Sequence, residues 1–295
     1  MSVILDRVRY KIDPWWVAII YFLYKLFYGY QKADDFKRKL NNRLLKSQFL
    51  KPNSWDFNKV VLPLLPEDLI TQLYGVYLDT LFVHCKFQDN YSEKMFSQLD
   101  KVLPEGPYSY INENFRVHVE SGDYVIDAGA WIGDFSALAS YYGAKVYAFE
   151  PSSHNFKYLE ETSKLNPNII TVPMGLGSGK ETMFVEQGKF GSVSNNLVKE
   201  AVSEEKIEIT SLDDFVRIND IRKIDFIKSD IEGAEREMLK GATYVLRNFA
   251  PKLAICTYHL PDDPEVIKDI ILNANPSYTI IQKRMKLYAA VIKDE

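Results

Sequence analysis

The chain has 295 residues, of which 46% are hydrophobic and 26% are charged, and its formal net charge is −4 at pH 7. This length suits one large domain or two modest ones, and the composition is ordinary for a soluble globular protein. The acidic balance argues against a nucleic-acid partner, because such proteins usually neutralise phosphates with a basic face.

The first 105 residues predict a mainly helical N-terminal region. Apolar residues recur at helical spacing in three segments, residues 32–50, 67–84 and 91–102. A Pro-Glu-Gly-Pro sequence at Pro104–Pro107 is a strong turn signal. We therefore predict an N-terminal region at 1–105 and a second domain at 106–295.

One apolar segment in this region, Pro14–Tyr30, raises the question of membrane contact. Lys25 interrupts it, and the charge-free part is too short to span about 30 Å of hydrocarbon. The segment fits a helix packed on the protein's own core, or an interfacial helix in peripheral contact with a membrane. No signal peptide is visible, and the only two cysteines, Cys85 and Cys256, are expected to be reduced and buried. These features predict a cytoplasmic protein that could associate with a membrane.

Strand and helix patterns alternate in the second region. The strand candidates are Tyr124–Ala128, Lys145–Phe149, Ile169–Pro173, Ile224–Lys228, Lys252–Thr257, Tyr278–Lys283 and Leu287–Ile292. The helix candidates are Ile132–Tyr142, Ser153–Leu165, Ser211–Ile218, Glu235–Asn248 and Pro264–Asn273. A polar segment, Gly188–Glu205, reads either as a loop over the site or as a plain surface connection.

This order predicts an α/β fold with a doubly wound, mostly parallel, Rossmann-like sheet covered on both faces. The last two strands are separated by only a few residues, so they should pair as a C-terminal antiparallel hairpin. A mostly parallel sheet that ends in such a hairpin resembles the arrangement of class I methyltransferases.

The strongest local motif is the strand, glycine turn and helix start at Val125–Asp134. Gly129 would let the backbone approach a ligand, and Gly133 would allow close packing at the helix start. A dinucleotide site is disfavoured, because the loop lacks the full Gly-x-Gly-x-x-Gly pattern and Asp127 would repel a pyrophosphate. S-adenosylmethionine carries an ammonium and a sulfonium instead, which Asp127 would attract. The alternative is that these residues only form a tight turn.

An acidic residue, Glu150, ends the second strand and precedes Pro151. A carboxylate at this place in nucleoside-binding sheets accepts hydrogen bonds from ribose hydroxyls. The alternative is a role in capping the helix that starts near Ser153.

Two further acids, Asp230 and Glu232, follow the fourth strand, and His259 follows the fifth. Because parallel strands end at the same edge, these side chains should face one crevice. We predict His259 as a general base for a hydroxyl and Asp230 as its orienting carboxylate, with Glu232 as a further candidate. The alternative for Glu232 is a capping box with Ser229. The same side chains could supply metal ligands, but the sequence does not predict a metal.

In combination, these motifs resemble the FkbM family of methyltransferases. The matching sequences are VIDAGAWIGD, AFEP, SLDDF and DFIKSDIEGAE, spread over residues 125–235. The resemblance implies a class I fold, and a methyl donor held by Asp127, Gly129 and Glu150. It also implies O-methylation of a hydroxyl on a sugar, glycolipid or small metabolite. The complete predicted S-adenosylmethionine site is Asp127, Gly129, Ala130, Gly133, Glu150, Pro151 and Asp230.

The acceptor is expected to be an oxygen. Methyltransferases that act on planar amino groups are similar to one another in having an Asn/Asp-Pro-Pro-Tyr-like sequence after the fourth strand, and this chain lacks it there. Ser229–Glu232 occupies that place. Two alternatives stay open: a non-catalytic member that binds the cofactor or a partner, and a nucleotide-dependent oxidoreductase.

Overall fold

The structure is a computed structural model that describes residues 50–56, 60–66, 108–186, 196–198, 206–283 and 285–292, together with Leu26, Gly29, Lys32 and Leu69. In chain order its elements are β1 (Ser54–Asp56), β2 (Val61–Pro63), β3 (Tyr110–Ile111), β4 (Arg116–Val117), β5 (Tyr124–Ala128), α1 (Asp134–Tyr141), β6 (Lys145–Phe149), α2 (Ser153–Leu165), β7 (Ile169–Val172), β8 (Gly175–Leu176), β9 (Glu181–Glu186), β10 (Asn196–Val198), β11 (Lys206–Thr210), α3 (Leu212–Ile218), β12 (Phe226–Ser229), α4 (Glu235–Lys240), α5 (Thr243–Asn248), β13 (Lys252–Cys256), α6 (Asp263–Ala274), β14 (Tyr278–Lys283) and β15 (Lys286–Val291).

A seven-stranded sheet with the order β14-β15-β13-β12-β5-β6-β7 forms the centre of the fold. Strands β7, β6, β5, β12 and β13 run parallel, whereas β15 is antiparallel to both β13 and β14. The predicted parallel sheet with a C-terminal antiparallel hairpin is therefore confirmed. The hairpin is inserted so that its second strand, β15, lies between β13 and the first.

The strand order places the crevice of the sheet. From β5 the chain moves outward through β6 to β7, and it later returns to the other side of β5 to form β12 and β13. The direction of winding thus reverses between β5 and β12. In open parallel sheets, ligands bind outside the carboxyl ends of the strands at this reversal. Buried apolar residues such as Val125, Ile126 and Phe226 fix these strands between two helical layers.

One predicted helix is broken in the structure. The pattern of Glu235–Asn248 predicts a single helix, but α4 ends at Lys240 and α5 begins at Thr243. Gly241 lies at the break, where a Cβ atom would come within 2.1 Å of the carbonyl oxygen of Gly177. The backbone around Gly177 comes so close to residue 241 that only glycine fits there. The helical periodicity of the sequence does not reveal this contact.

A second sheet, with the order β10-β9-β11-β8, has no counterpart in the sequence prediction. Its strand β10 falls inside the segment Gly188–Glu205, for which the sequence analysis predicts a loop over the site or a surface connection and no strand. In β11, Ile207 and Ile209 are buried and alternate with more polar residues. That period-two alternation is the available sequence signal, but it extends over only five residues.

The described part of the N-terminal region contains an antiparallel strand pair, β1 with β2, rather than helix alone. Trp55, Leu62 and Leu69 are buried in the same apolar core as Leu159 of α2. The predicted helices at 32–50, 67–84 and 91–102, and the segment Pro14–Tyr30, lie outside the described residues apart from isolated positions. The boundary between residues 105 and 106 stays a prediction. None of the described helices is long and apolar enough to cross a membrane.

Candidate active site

The glycine loop after β5 has an unusual backbone. Gly129, Trp131 and Gly133 have φ angles of 73°, 51° and 87°, so every second residue of the loop is in the left-handed region. A Cβ atom on Gly129 would lie 2.1 Å from the carbonyl oxygen of Asp230. Glycine is required at that position, because the loop passes directly against the end of β12. The sequence analysis predicts that Gly129 lets the backbone approach a ligand. In the structure Gly129 lines the cleft and also lies against the backbone of Asp230.

Asp127 is placed behind the cleft rather than in its wall. It is fully buried on β5. One carboxylate oxygen, Oδ1, lies 2.9 Å from Nζ of Lys228, and the other, Oδ2, accepts a hydrogen bond of 2.6 Å from the hydroxyl of Ser136. Both oxygens are thus engaged with protein groups. The sequence predicts Asp127 as a direct ligand of the methyl donor; the structure places it outside the cleft wall, paired with Lys228, and its role toward the donor stays a prediction.

Lys228 is a site residue that the sequence interpretation missed. Its Nζ donates to the carbonyl oxygen of Gly129 at 2.6 Å as well as pairing with Asp127. Burial alone would lower the pKa of Lys228, but the charges of Asp127 and Asp230 raise it above the usual lysine value, so the side chain is a cation. The available signal was a lysine that follows two large apolar residues in a buried strand, since a buried charge needs a partner.

Glu150 lies at the end of β6 as predicted and lines the cleft together with Pro151. Its carboxylate accepts backbone N–H groups of Trp131 at 2.9 Å and of Ser152 at 3.0 Å. Burial raises the pKa of Glu150 to about 7, although these hydrogen bonds favour the ionised form. The contact with Ser152, the residue before α2, means that the predicted helix-start role and a ligand role are compatible. Oε1 also accepts the side-chain amide of Asn155 at 3.3 Å, so about one of the four acceptor positions of the carboxylate remains for a ligand hydroxyl.

Asp230 follows β12 and is held by two phenols. Tyr108 donates to its Oδ2 at 2.8 Å, and Tyr258 donates to its Oδ1 at 2.9 Å. Burial alone would raise the pKa of Asp230, but the charge of Lys228 and the two phenols hold it below the usual value. Asp230 is therefore a fixed carboxylate. Both tyrosines were missed, and Tyr108 precedes Asp230 by 122 residues, which no local pattern could reveal.

The loop that carries Glu232 is held in a strained conformation. Glu232 has a φ of 55°, and Gly233 after it has a φ of 101°. The left-handed region is unfavourable for residues other than glycine, and such strain recurs at functional sites. Glu235 holds the loop by accepting the backbone N–H groups of Ile231 at 2.8 Å and Gly233 at 3.0 Å. The alternative capping box is wrong, because α4 begins after Ala234 without a side-chain cap.

His259 lies beside these acids, with a side chain that is only 9% exposed. Its Nε2 is 3.4 Å from Glu232 and 3.7 Å from Asp230, and its Nδ1 is 3.2 Å from Glu235. Burial alone would lower the pKa of His259, but Glu232, Glu235 and Asp230 raise it to about 10. The ring is then protonated at neutral pH. This electrostatic environment argues against the predicted role of His259 as general base in the free protein.

The cleft brings together five of the predicted residues. Its wall includes Gly129, Glu150, Pro151, Asp230 and Glu232, and the newly found Tyr108, Trp131 and Lys228. The others lie behind the wall. Ala130 is buried, with its N–H bonded to the carbonyl of Phe149. Gly133 packs where a Cβ atom would come within 2.8 Å of Leu159. His259 stands behind Asp230 and Glu232.

The charges of the cleft favour a cationic ligand. Asp134, Glu150, Asp230 and Glu232 line it, against the single cation Lys228 among the described lining residues. A pyrophosphate would be repelled by this set, which disfavours the dinucleotide alternative. Trp131 adds a buried indole Nε1 that has no hydrogen-bond acceptor among the described residues.

The order of the central sheet, with one antiparallel strand inserted next to its edge, and a cleft at the ends of β5, β6 and β12 define the fold of a class I S-adenosylmethionine-dependent methyltransferase. The sequence matches the family described as the methyltransferase FkbM domain over residues 127–276, which is just over half of the chain. The chain belongs to this family, and its cofactor is S-adenosylmethionine.

The chain is also similar to individual proteins. The hexuronic acid methyltransferase AglP of Haloferax volcanii is 30% identical over 162 residues, which cover 55% of this chain and 66% of AglP. The methyltransferase sdnD of Sordaria araneosa is 28% identical over 166 residues, which cover 42% of this chain and 62% of sdnD. The chain thus spans just under two thirds of each relative. The FkbM methyltransferase structure from Methylobacillus flagellatus aligns with a TM-score of 0.48 at 23% identity, covering 79% of this chain and 56% of that one.

The cleft residues fit the cofactor. Its α-ammonium and its sulfonium are cationic, which suits a wall rich in carboxylates. Glu150 retains acceptor capacity for about one ribose hydroxyl. The buried Nε1 of Trp131 is a donor that still needs an acceptor, which a bound ligand can supply.

Proposed function

We propose that the protein is an S-adenosylmethionine-dependent O-methyltransferase that acts on a hydroxyl of a sugar, glycolipid or small metabolite. The observation that carries the proposal is the contact between the cofactor loop and the acidic end of β12, where Gly129 lies against the backbone of Asp230. Because of this contact, the glycine loop and the carboxylate of Asp230 lie side by side in the wall of the cleft. Methyl transfer needs donor and acceptor held at near-attack distance, and a shared wall serves that purpose.

Glu150, Gly129 and Trp131 would hold the cofactor. The carboxylate of Glu150 would accept a ribose hydroxyl, and the indole of Trp131 would donate to an acceptor atom of the ligand. When bound, S-adenosylmethionine supplies an electrophilic methyl group on its sulfonium.

Asp230 and Glu232 would hold the acceptor. Asp230 is kept ionised by Lys228 and the two phenols, so it can accept a hydrogen bond from the acceptor hydroxyl and orient it. Glu232 lines the cleft with 27% of its side chain exposed. It is the carboxylate best placed to take the proton that the hydroxyl loses, in place of His259.

The choice of a hydroxyl acceptor has two supports. The sequence after β12 lacks the motif expected for planar amino groups, and AglP, a relative at 30% identity, is named a hexuronic acid methyltransferase. A nucleic acid is not proposed, because the carboxylates at the cleft would repel its phosphates. A membrane contact through Pro14–Tyr30 and a cytoplasmic location remain separate proposals.

The proposal is tested by methyl transfer. Purified full-length protein is incubated with methyl-labelled S-adenosylmethionine and a panel of free uronic acids, neutral sugars, glycolipids and amines, and the product linkage is determined by NMR. We expect label in an O-methyl ether of a hydroxylated acceptor, and at least tenfold less with Asp230→Asn, whereas label in a methyl ester would mean that a carboxylate and not a hydroxyl is the acceptor. Label only in amines would contradict the oxygen assignment. Cofactor binding without transfer to any acceptor would favour the non-catalytic alternative.

A further inference from the structure

The turn between β14 and β15 carries two positive charges that no described residue balances. Lys283 ends β14 and Lys286 begins β15, and the two lie directly opposite each other in the pairing of these strands. Opposite residues of an antiparallel pair project from the same face, so like charges there repel each other. Neither ammonium is ion-paired with a residue that the structure describes. An anion from a ligand would relieve this repulsion.

The turn lies beside the acceptor side of the cleft. Lys286 is opposite the last residue of β13, so it stands at the edge of the sheet where β12 and β13 end. The backbone N–H of Thr257 donates to the carbonyl oxygen of Met285 in this turn at 2.9 Å. Tyr258, the next residue after Thr257, donates its phenol to Asp230. A ligand bound at Asp230 is therefore close to the turn.

One aromatic ring connects Lys286 with the carboxylate of Asp230. Nζ of Lys286 lies 4.9 Å from the ring centroid of Tyr108, and the hydroxyl of the same ring donates to Asp230 at 2.8 Å. Contact with an aromatic ring attracts an ammonium but does not neutralise it. An acceptor hydroxyl at Asp230 therefore has a positive charge held one phenol ring away.

The two lysines that contact Tyr108 differ in their partners. Nζ of Lys228 lies 5.2 Å from the ring centroid, but it also pairs with Asp127 at 2.9 Å and donates to the carbonyl oxygen of Gly129 at 2.6 Å. Lys286 is partly buried and has the ring contact without a carboxylate partner in the described part of the chain. Because a partly buried charge is costly without a counter-charge, Lys286 is the lysine of this pair that can take one from a ligand.

We propose that Lys286, with Lys283 beside it, binds an anionic group of the methyl acceptor, and that the acceptor is a hydroxylated carboxylate or phosphate such as an acidic sugar. The acceptor hydroxyl would lie at Asp230, and the anionic group would lie at the two ammonium groups. This inference rests on the proposed function, because it takes the hydroxyl at Asp230 from there. It adds the charge of the acceptor and the residues that recognise that charge.

The same arrangement would orient the acceptor. Asp230 and Glu232 line the cleft, where they repel an anion but accept a hydrogen bond from a hydroxyl. Lys283 and Lys286 are not among the described residues of that wall, so they would attract the anion away from it. An acidic acceptor would then present its hydroxyl, and not its anionic group, to the cofactor.

The site is tested with pairs of sugars that differ in one anionic group. The methyl glycosides of glucuronic acid and glucose form one pair, and glucose 6-phosphate and glucose form the other. Binding to full-length protein saturated with S-adenosylhomocysteine is measured by saturation-transfer NMR at low ionic strength. We expect at least one charged sugar to bind about 3- to 10-fold more tightly than its neutral partner, and the preference to weaken with added salt. The pair that shows the preference identifies the anion as carboxylate or phosphate.

The variants locate the preference. Lys286→Gln should reduce it to less than about twofold, whereas Lys286→Arg keeps the charge and should retain it. Lys157→Gln is the matched control, because Nζ of Lys157 also lies over a tyrosine ring, 4.7 Å from the centroid of Tyr158, but on the exposed surface of α2. It removes the same charge and should bind the sugars like the wild type. Thermal unfolding shows that each variant is folded.

Two results would overturn the site: no charged sugar binds more tightly than its neutral partner to the wild type, or Lys286→Gln retains the preference. A labelled-methyl assay on the same sugars separates this inference from the proposed function. O-methylation of charged and neutral sugars at equal rates, in both the wild type and Lys286→Gln, removes the anion site only. A charge preference that depends on Lys286, without methyl transfer to a hydroxyl of any sugar, supports the anion site and contradicts the proposed function.

Discussion

The two sides of the cleft are built differently. On the side of β5 and β6, Gly129, Trp131 and Glu150 act through backbone conformation and hydrogen bonds to main-chain N–H groups. On the side of β12 and β13, Asp230 and His259 act through charge, with ion pairs and phenols around them. The first side suits the recognition of a neutral nucleoside, and the second suits a reaction in which charge changes. Lys228 contacts both sides.

The largest effect on stability is expected from removing the ion pair between Lys228 and Asp127. Lys228→Met would leave Asp127 buried without its counter-charge, so the free energy of unfolding should fall by about 3–5 kcal/mol. Chemical denaturation of the wild type and variant measures the loss. The matched double variant Lys228→Met with Asp127→Leu should recover most of it, because no buried charge is left unpaired. A loss below about 1 kcal/mol in the single variant would mean that the two sides are not tied together by this ion pair.

A second prediction concerns pH on the side of β5 and β6. The pKa of Glu150 in the folded protein is about 7, against an ordinary value near 4.5, so the native state retains a proton that the unfolded chain loses. The free energy of unfolding should therefore fall as the pH rises from 4.5 to 7, by up to about 3 kcal/mol from this group. The measurement is denaturation across this range for the wild type and Glu150→Gln.

The Glu150→Gln variant should lack this component of the slope, whatever its absolute stability. Affinity for S-adenosylmethionine should have the opposite dependence in the wild type, since protonation removes acceptor capacity that the carboxylate needs for a ribose hydroxyl. It should weaken below pH 7 by up to about tenfold per pH unit. Identical pH profiles in the two proteins would remove Glu150 from both arguments.

The smallest effect is expected from one phenol on the acidic side. Tyr258→Phe removes a hydrogen bond of 2.9 Å to Asp230, so turnover should fall by roughly 3- to 10-fold, as one hydrogen bond of about 1 kcal/mol or slightly more implies. Cofactor affinity should change little, because the phenol lies on the acceptor side. Tyr244→Phe, at an exposed ring on α5, is the control. A larger loss of cofactor affinity than of turnover would show that the two sides do not divide the work in this way.

Much of the fold could be predicted because its signals are local. The apolar strands β5 and β6 and the helix α2 have the bounds that the sequence predicts. The second sheet could not be predicted, because strands of two to six residues have too few alternations to be distinguished from loops. The break at Gly241 depends on contact with Gly177, which is remote in sequence.

The residues of the candidate site also divide into those with a local signal in the sequence and those without one. Gly129, Glu150 and Asp230 are recognisable because each follows a strand at the edge where ligands bind. The partners that define their charge could not be found from the chain: Tyr108 comes from beyond the predicted sheet, and the pairing of Lys228 with Asp127 depends on the register of β12 against β5. The protonation of His259 likewise depends on three acidic residues, Asp230, Glu232 and Glu235, that only the folded chain brings close to its ring.

The central claim is that the cofactor binds between the glycine loop and Glu150. We would test it by calorimetric titration of S-adenosylmethionine into the wild type, Glu150→Ala and the control Asp269→Asn at pH 8. Hydrogen bonds to a charged group contribute about 1.5–3 kcal/mol, so Glu150→Ala should bind at least tenfold more weakly while the control binds like the wild type. Equal affinity in all three folded proteins would contradict the account, because the cofactor would then lie elsewhere.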